Sequence, residues 1–121
     1  FYGQTGIYSA RAKSNGDGVL EITYAMCSNL EVVDFGDITD IQEYSFLSCG
    51  LKSELNIPGT VKIIRAGAFD NNEKITAVKL QEGVEEIERD CFDECYSVRN
   101  IYFPKSLTSI VNGSPFGTSF N

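Results

Sequence analysis

The sequence predicts a β-rich solenoid: about five stacked repeats of ~23 residues, with short parallel strands joined by short turns or single helical turns. Three observations carry the prediction. Aromatic residues recur at a nearly constant interval. Apolar residues keep the same register inside each interval. No interval contains a helical pattern longer than two or three turns.

The interval comes first. Phe46, Phe69 and Phe92 stand 23 residues apart, Tyr24 precedes Phe46 by 22, Phe1 precedes Tyr24 by 23, and Phe116 follows Phe92 by 24. The chain then divides into repeats 1–23, 24–45, 46–68, 69–91 and 92–115, with a remnant 116–121, forming one domain over 1–121. The short second repeat loses its residue just after Phe35, and the long fifth gains one near Pro115, both in turns, where length changes are best tolerated. The chain opens on Phe1 and its one methionine is Met26, so it is expected to be part of a longer chain whose solenoid continues upstream.

The register comes second. Three residues after each aromatic stand Gln4, Cys27, Cys49, Asn72 and Cys95. Six further on stand Ala10, Val33, Leu55, Val78 and Ile101, and two beyond those Ala12, Phe35, Ile57, Leu80 and Phe103. This period of two reads as strands over 33–35, 55–57, 78–80 and 101–103, with Pro58 and Pro104 ending two of them. Ile38, Val61, Val84 and Leu107 follow, each three residues before Ile41, Ile64, Ile87 or Ile110, and these rows are expected to turn inward. A repeat this short cannot bury its own apolar row. Stacked repeats can, piling like residues into ladders. At a strand spacing of ~4.8 Å, five layers make a sheet roughly 24 Å long.

The motifs that carry a family likeness are "NIPGTVKIIRAGAF" at 56–69 and "CYSVRNIYFPKSLTSI" at 95–110. They follow the pattern C-x-x-L-x-x-I-x-[LIF]-P-x-x-V-x-x-I-x-x-x-A-F, which resembles the BspA-like, or Treponema pallidum-type, leucine-rich repeat. The likeness covers nearly the whole chain. The first repeat departs from it, with Ala10, Ala12 and Gly16 in place of bulky residues, and its strand is expected to be thin. The resemblance implies a non-catalytic module of cell-surface or secreted proteins, engaged in adhesion and protein binding.

Composition narrows the function classes. Ten Lys and Arg against 17 Asp and Glu give a net charge of −7, which disfavours nucleic acid and anionic membrane as partners. No apolar run has the length of a membrane helix, so no membrane insertion is expected. The chain has no histidine, which removes Ser-His-Asp and Cys-His catalysis and His-ligated zinc. No nucleophile–base pair is evident, so no enzymatic activity, metal or cofactor is expected.

The stretch "EGVEEIERDCFDEC" at 82–95 tests that conclusion, with seven acidic residues and two cysteines. Cys27, Cys49 and Cys95 share one repeat position, and Cys91 shares another with Ser45 and Ala68. Both positions suit a small buried side chain, where free cysteine packs well. A zinc site needs four converging ligands, and this stretch offers two thiols. Val84 and Ile87 point inward, which places Glu82, Glu85, Glu86, Glu88, Asp90, Asp93 and Glu94 on a solvated acidic edge. EF-hand spacing is missing, and calcium at this edge is left open.

The exposed face of the strands remains for function. Arg11, Asp34, Asn56, Lys79 and Tyr102 lie between buried strand residues and should point outward. Core rows repeat in kind, whereas this row changes chemistry at every layer. It is therefore the expected partner-binding surface, for a protein or glycan. The alternative is a structural spacer within a larger surface or secreted protein.

Overall fold

The computed structural model describes residues 1–20, 23–111 and 113–117. Its strands are β1 (Ser9–Arg11), β2 (Val32–Asp34), β3 (Asp40–Ile41), β4 (Lys52–Ile57), β5 (Ile63–Ile64), β6 (Lys74–Leu80), β7 (Glu86–Glu88), β8 (Asn100–Tyr102) and β9 (Ser109–Val111). Every ladder is parallel. The chain is a parallel β-solenoid, and its described residues contain no helix.

Each expected strand lies in or beside an observed one, in the expected register. Ala10 pairs with Val33, and Leu55 with Val78 with Ile101. The first strand forms in spite of its small residues, and at three residues it is as long as β2. A second sheet, β3-β5-β7-β9, was not expected. Its strands hold two or three residues, of which one in each of β3, β5 and β7 is deeply buried on the ladder row: Ile41, Ile64 and Ile87. Two residues cannot display an alternation, so these segments read as turns.

Aromatic stacking organises the core. Phe1, Tyr24, Phe46, Phe69, Phe92 and Phe116 form one continuous column, with successive centroids 5.3–5.8 Å apart. The rings from Phe1 to Phe92 are parallel within 6°. At such separations the rings are offset, the arrangement their quadrupoles favour. Phe46, Phe69 and Phe92 are completely buried. Phe35 meets the column edge-on, 5.8 Å from Phe46 and 6.2 Å from Phe69.

The segment after each aromatic was expected to be a short turn or a single helical turn. It is the former, a tight turn with a left-handed residue two positions past the ring: Gly3, Met26, Ser48, Asn71 and Glu94, with φ of 53–71°. One left-handed residue stops helical propagation. The turns between the sheets also stack closely. A Cβ on Gly83, where φ is 121°, would strike the Gly59 carbonyl, and one on Gly59 would strike the Glu82 carbonyl. Lys62 Nζ ties the pair together by donating to the Gly59 and Gly83 oxygens at 2.9 and 3.2 Å.

Residues at both ends of the expected inward rows are exposed: Gln4 in the first layer, and Phe103 and Ile110 in the last. Phe103 is 51% and Ile110 56% accessible, whereas Leu80 and Ile87, one layer earlier, are 3% and 0%. Phe103 and Ile110 are the outermost members of their rows, and no further described layer lies against them. Burial in a solenoid requires a neighbour on both sides.

Candidate functional site

The strand face is built from β1-β2 and β4-β6-β8. Arg11, Asp34, Asn56, Lys79 and Tyr102 are all exposed, on the side of the strands opposite the core rows. Arg11 faces Asp34 in register, and Nε lies 3.3 Å from the carboxylate, with both side chains largely exposed. Asn56 faces Lys79, which faces Tyr102. Gln81 Nε2 donates to Asn56 Oδ1 at 2.7 Å. Tyr102 is 52% accessible.

The five residues do not form one uninterrupted row. No ladder or bridge joins β2 to β4 among the described residues, so the face consists of two blocks with a seam between them. Arg11 and Asp34 lie on one block, and Asn56, Lys79 and Tyr102 on the other. The β4 ladder also shifts register between Ser53 and Glu54, where Ser53 has φ of 63°. A groove of about 150 Å³ runs along the seam over Val33, Phe35 and Leu55. A salt bridge crosses it, from Lys52 Nζ to Glu31 at 3.3 Å.

The cysteine row has a specific duty. Cys27, Cys49 and Cys95 donate from Sγ to the carbonyl of the aromatic one repeat earlier: Phe1, Tyr24 and Phe69, at 2.9, 3.1 and 3.3 Å. Asn72 does the same through Nδ2, donating to Phe46 at 2.9 Å and also to Phe69 at 2.8 Å. The position therefore needs a compact donor, which neither burial nor size alone would reveal. All four cysteines are free and buried. Burial pushes the Cys49 and Cys95 thiols up to about 12, so they remain protonated at neutral pH and are poor nucleophiles.

The acidic edge is less uniform than expected. Glu88 does not lie on the solvated arc. It is 9% accessible, accepts the Ala66 N–H at 2.9 Å and pairs with Arg65 at 3.3 Å. Arg65 also grips Asp40 through Nε and Nη2 at 3.1 and 2.8 Å, so one guanidinium links three layers. Sequence reasoning missed this triad, because its members lie on three different repeats. Arg65 is held above its ordinary pKa, chiefly by the hydrogen bond to Asp40.

Asp70, just after Phe69, is pushed up to about 6, first by burial and then by Asp93, Glu94 and Asp90. Its Oδ1 is buried without a hydrogen-bond partner. The folded state thus binds this proton more tightly than the unfolded chain, whose carboxyl titrates near 3.8. Stability from Asp70 should rise as pH falls from 7 through about 6 toward about 4. Asp70→Asn should stabilise the fold at pH 7 by roughly 1 kcal/mol, allowing for solvent screening of a part-exposed group, and should flatten the slope between pH 4 and 7. Urea midpoints across that range check this. A variant that matches the parent at every pH would refute the assignment.

Parallel strands in stacked ladders, with turns at fixed intervals, define a leucine-rich-repeat solenoid. The chain belongs to the BspA type leucine rich repeat region family, whose model matches residues 1–119 in six copies. Six copies are one more than the five full repeats read from the aromatic spacing. Of the remnant that begins at Phe116, residues 118–121 lie outside the described residues. No curated protein and no solved structure matches the chain significantly. Repeats of this family commonly act as protein-binding modules, and their solenoid is typically a non-catalytic scaffold. Its members are often surface or secreted proteins. No helix among the described residues is long and apolar enough to cross a membrane.

Proposed function

We propose that this chain is a non-catalytic binding and adhesion module that presents its strand face to a protein or glycan at the cell surface or in a secreted protein. The observation that carries this reading is the contrast between rows. The buried rows repeat the same side-chain type layer after layer, whereas Arg11, Asp34, Asn56, Lys79 and Tyr102 differ at each layer at the same repeat position. A frame held constant under a varied face suits recognition.

Tyr102 is the expected anchor. Tyrosine offers a large amphipathic surface with few rotatable bonds and is enriched at interface hot spots. Its side chain is exposed, so Tyr102→Ala should leave the urea midpoint nearly unchanged. The same substitution should weaken binding of a partner captured from extracellular or matrix proteins by ~1–2 kcal/mol. Lys79, whose side chain makes no hydrogen bond or ion pair among the described residues, should tune association rate and specificity more than affinity. The control is Glu85→Lys with Glu86→Lys, expected to alter mainly salt dependence. An affinity that ignores Tyr102 and Lys79 but collapses on this reversal would place the site on the acidic edge instead. A chain that captures no partner would favour the spacer role.

A further inference from the structure

We propose that the seam between β2 and β4 is a subsite that seats a lysine or arginine side chain of an extended segment in a partner protein. The proposal rests on the reading of the strand face as the binding surface and names one place on it with the chemistry that place accepts. Elsewhere on the face, adjacent strands are laddered together, and side chains stand on a closed surface. Only between β2 and β4 do two strands of this face run side by side without a ladder, among the described residues. A strand edge without a partner presents N–H and C=O groups alternately, and a cationic head can donate to the latter.

The seam has an apolar floor and an acidic, polar rim. Phe35 and Leu55 are buried beneath it, at 4% and 7% accessibility, and Val33 is half-buried. Asp34, Glu54 and Asn56 are exposed above them. At one end the Glu31–Lys52 bridge spans the gap. At the other the groove widens into a cleft of about 410 Å³ bounded by Pro58 and Gln81.

This geometry matches the divided character of a long basic side chain. The methylene stem can lie on Val33, Phe35 and Leu55 while the charged head stays at the wet rim. The rim's charges select the sign. Glu31 and Asp34 already face Lys52 and Arg11. The Glu54 side chain has no hydrogen bond or ion pair among the described residues, so it is the acid left for an incoming cation. The chain's net charge of −7 favours approach of a cationic segment and disfavours an anionic one. A neutral apolar side chain could also cover the floor, but it would leave Glu54 without a counter-ion.

The test uses the chain labelled with 15N and two capped pentapeptides, Ser-Val-Arg-Val-Ser and Ser-Val-Gln-Val-Ser, titrated to millimolar concentration. Shift changes from the arginine peptide should cluster on Val33, Asp34, Glu54 and Asn56. The glutamine peptide should bind about fivefold more weakly, the effect of one partly exposed ion pair. Glu54→Gln should remove that preference while leaving the urea midpoint in place, and Tyr102→Ala should not affect it. The proposal is overturned if the two peptides bind equally, if neither binds, or if the shifts centre elsewhere. Shifts centred on Lys79 and Tyr102 would reject the seam and retain the strand face. Shifts confined to 82–94 would reject both.

Discussion

Phe69→Ala should destabilise the chain by ~3–5 kcal/mol, a large part of a typical ~5–15 kcal/mol total. Phe69 is completely buried at the middle of the column, stacked on Phe46 at 5.3 Å and Phe92 at 5.7 Å, with the edge of Phe35 against it at 6.2 Å. Truncation removes apolar surface from the core and opens a cavity whose walls are held by backbone ladders on either side. Those ladders limit collapse, so the loss should fall at the high end for a buried aromatic. Cys49→Ala should be milder, ~1–2 kcal/mol, because a thiol buries less surface and its hydrogen bonds to the Tyr24 and Leu47 carbonyls are weak. Equilibrium urea denaturation of both variants decides the matter. A Phe69→Ala protein within ~1 kcal/mol of the parent would contradict the assigned core.

Asn72→Val should cost about 2–3 kcal/mol, although valine is apolar and the site is completely buried. The amide Nδ2 donates to the Phe46 and Phe69 carbonyls, and valine has no donor to replace it. Cys95 Sγ still reaches Phe69, which leaves Phe46 as the stranded acceptor. Asn72→Cys is the informative companion. A thiol there would repeat what Cys27, Cys49 and Cys95 do, and it would remove the Asn72 Oδ1, a buried acceptor with no partner. The cysteine variant should therefore remain within about 1 kcal/mol of the parent. If valine proves as mild as cysteine, the row needs a size and not a donor.

Much of this architecture is legible from spacing. Aromatics 22–24 residues apart specify a layer per repeat, and the register of Val33, Leu55, Val78 and Ile101 specifies which strand residues face inward. The likeness at 56–69 and 95–110 points to the family, and the family model spans 1–119. Exposure of Arg11, Asp34, Asn56, Lys79 and Tyr102 follows from the same alternation. These features are local and periodic, and a repeat writes them several times over.

What the tertiary structure alone decided is whatever depends on a neighbouring layer. The second sheet exists because Ile41, Ile64 and Ile87 line up across repeats, which no two-residue segment announces. Glu88 is buried because Arg65, 23 residues before it, reaches it, while Glu85 in the same stretch stays exposed. Phe103 and Ile110 carry the core pattern yet stand open, because each lacks a described layer on one side. The seam lies where β2 and β4 run side by side without a ladder among the described residues, which no single repeat announces. Sequence specifies what each layer offers to its neighbours. Burial, pairing and charge compensation are properties of the contact between layers, so they are settled only when the layers stack.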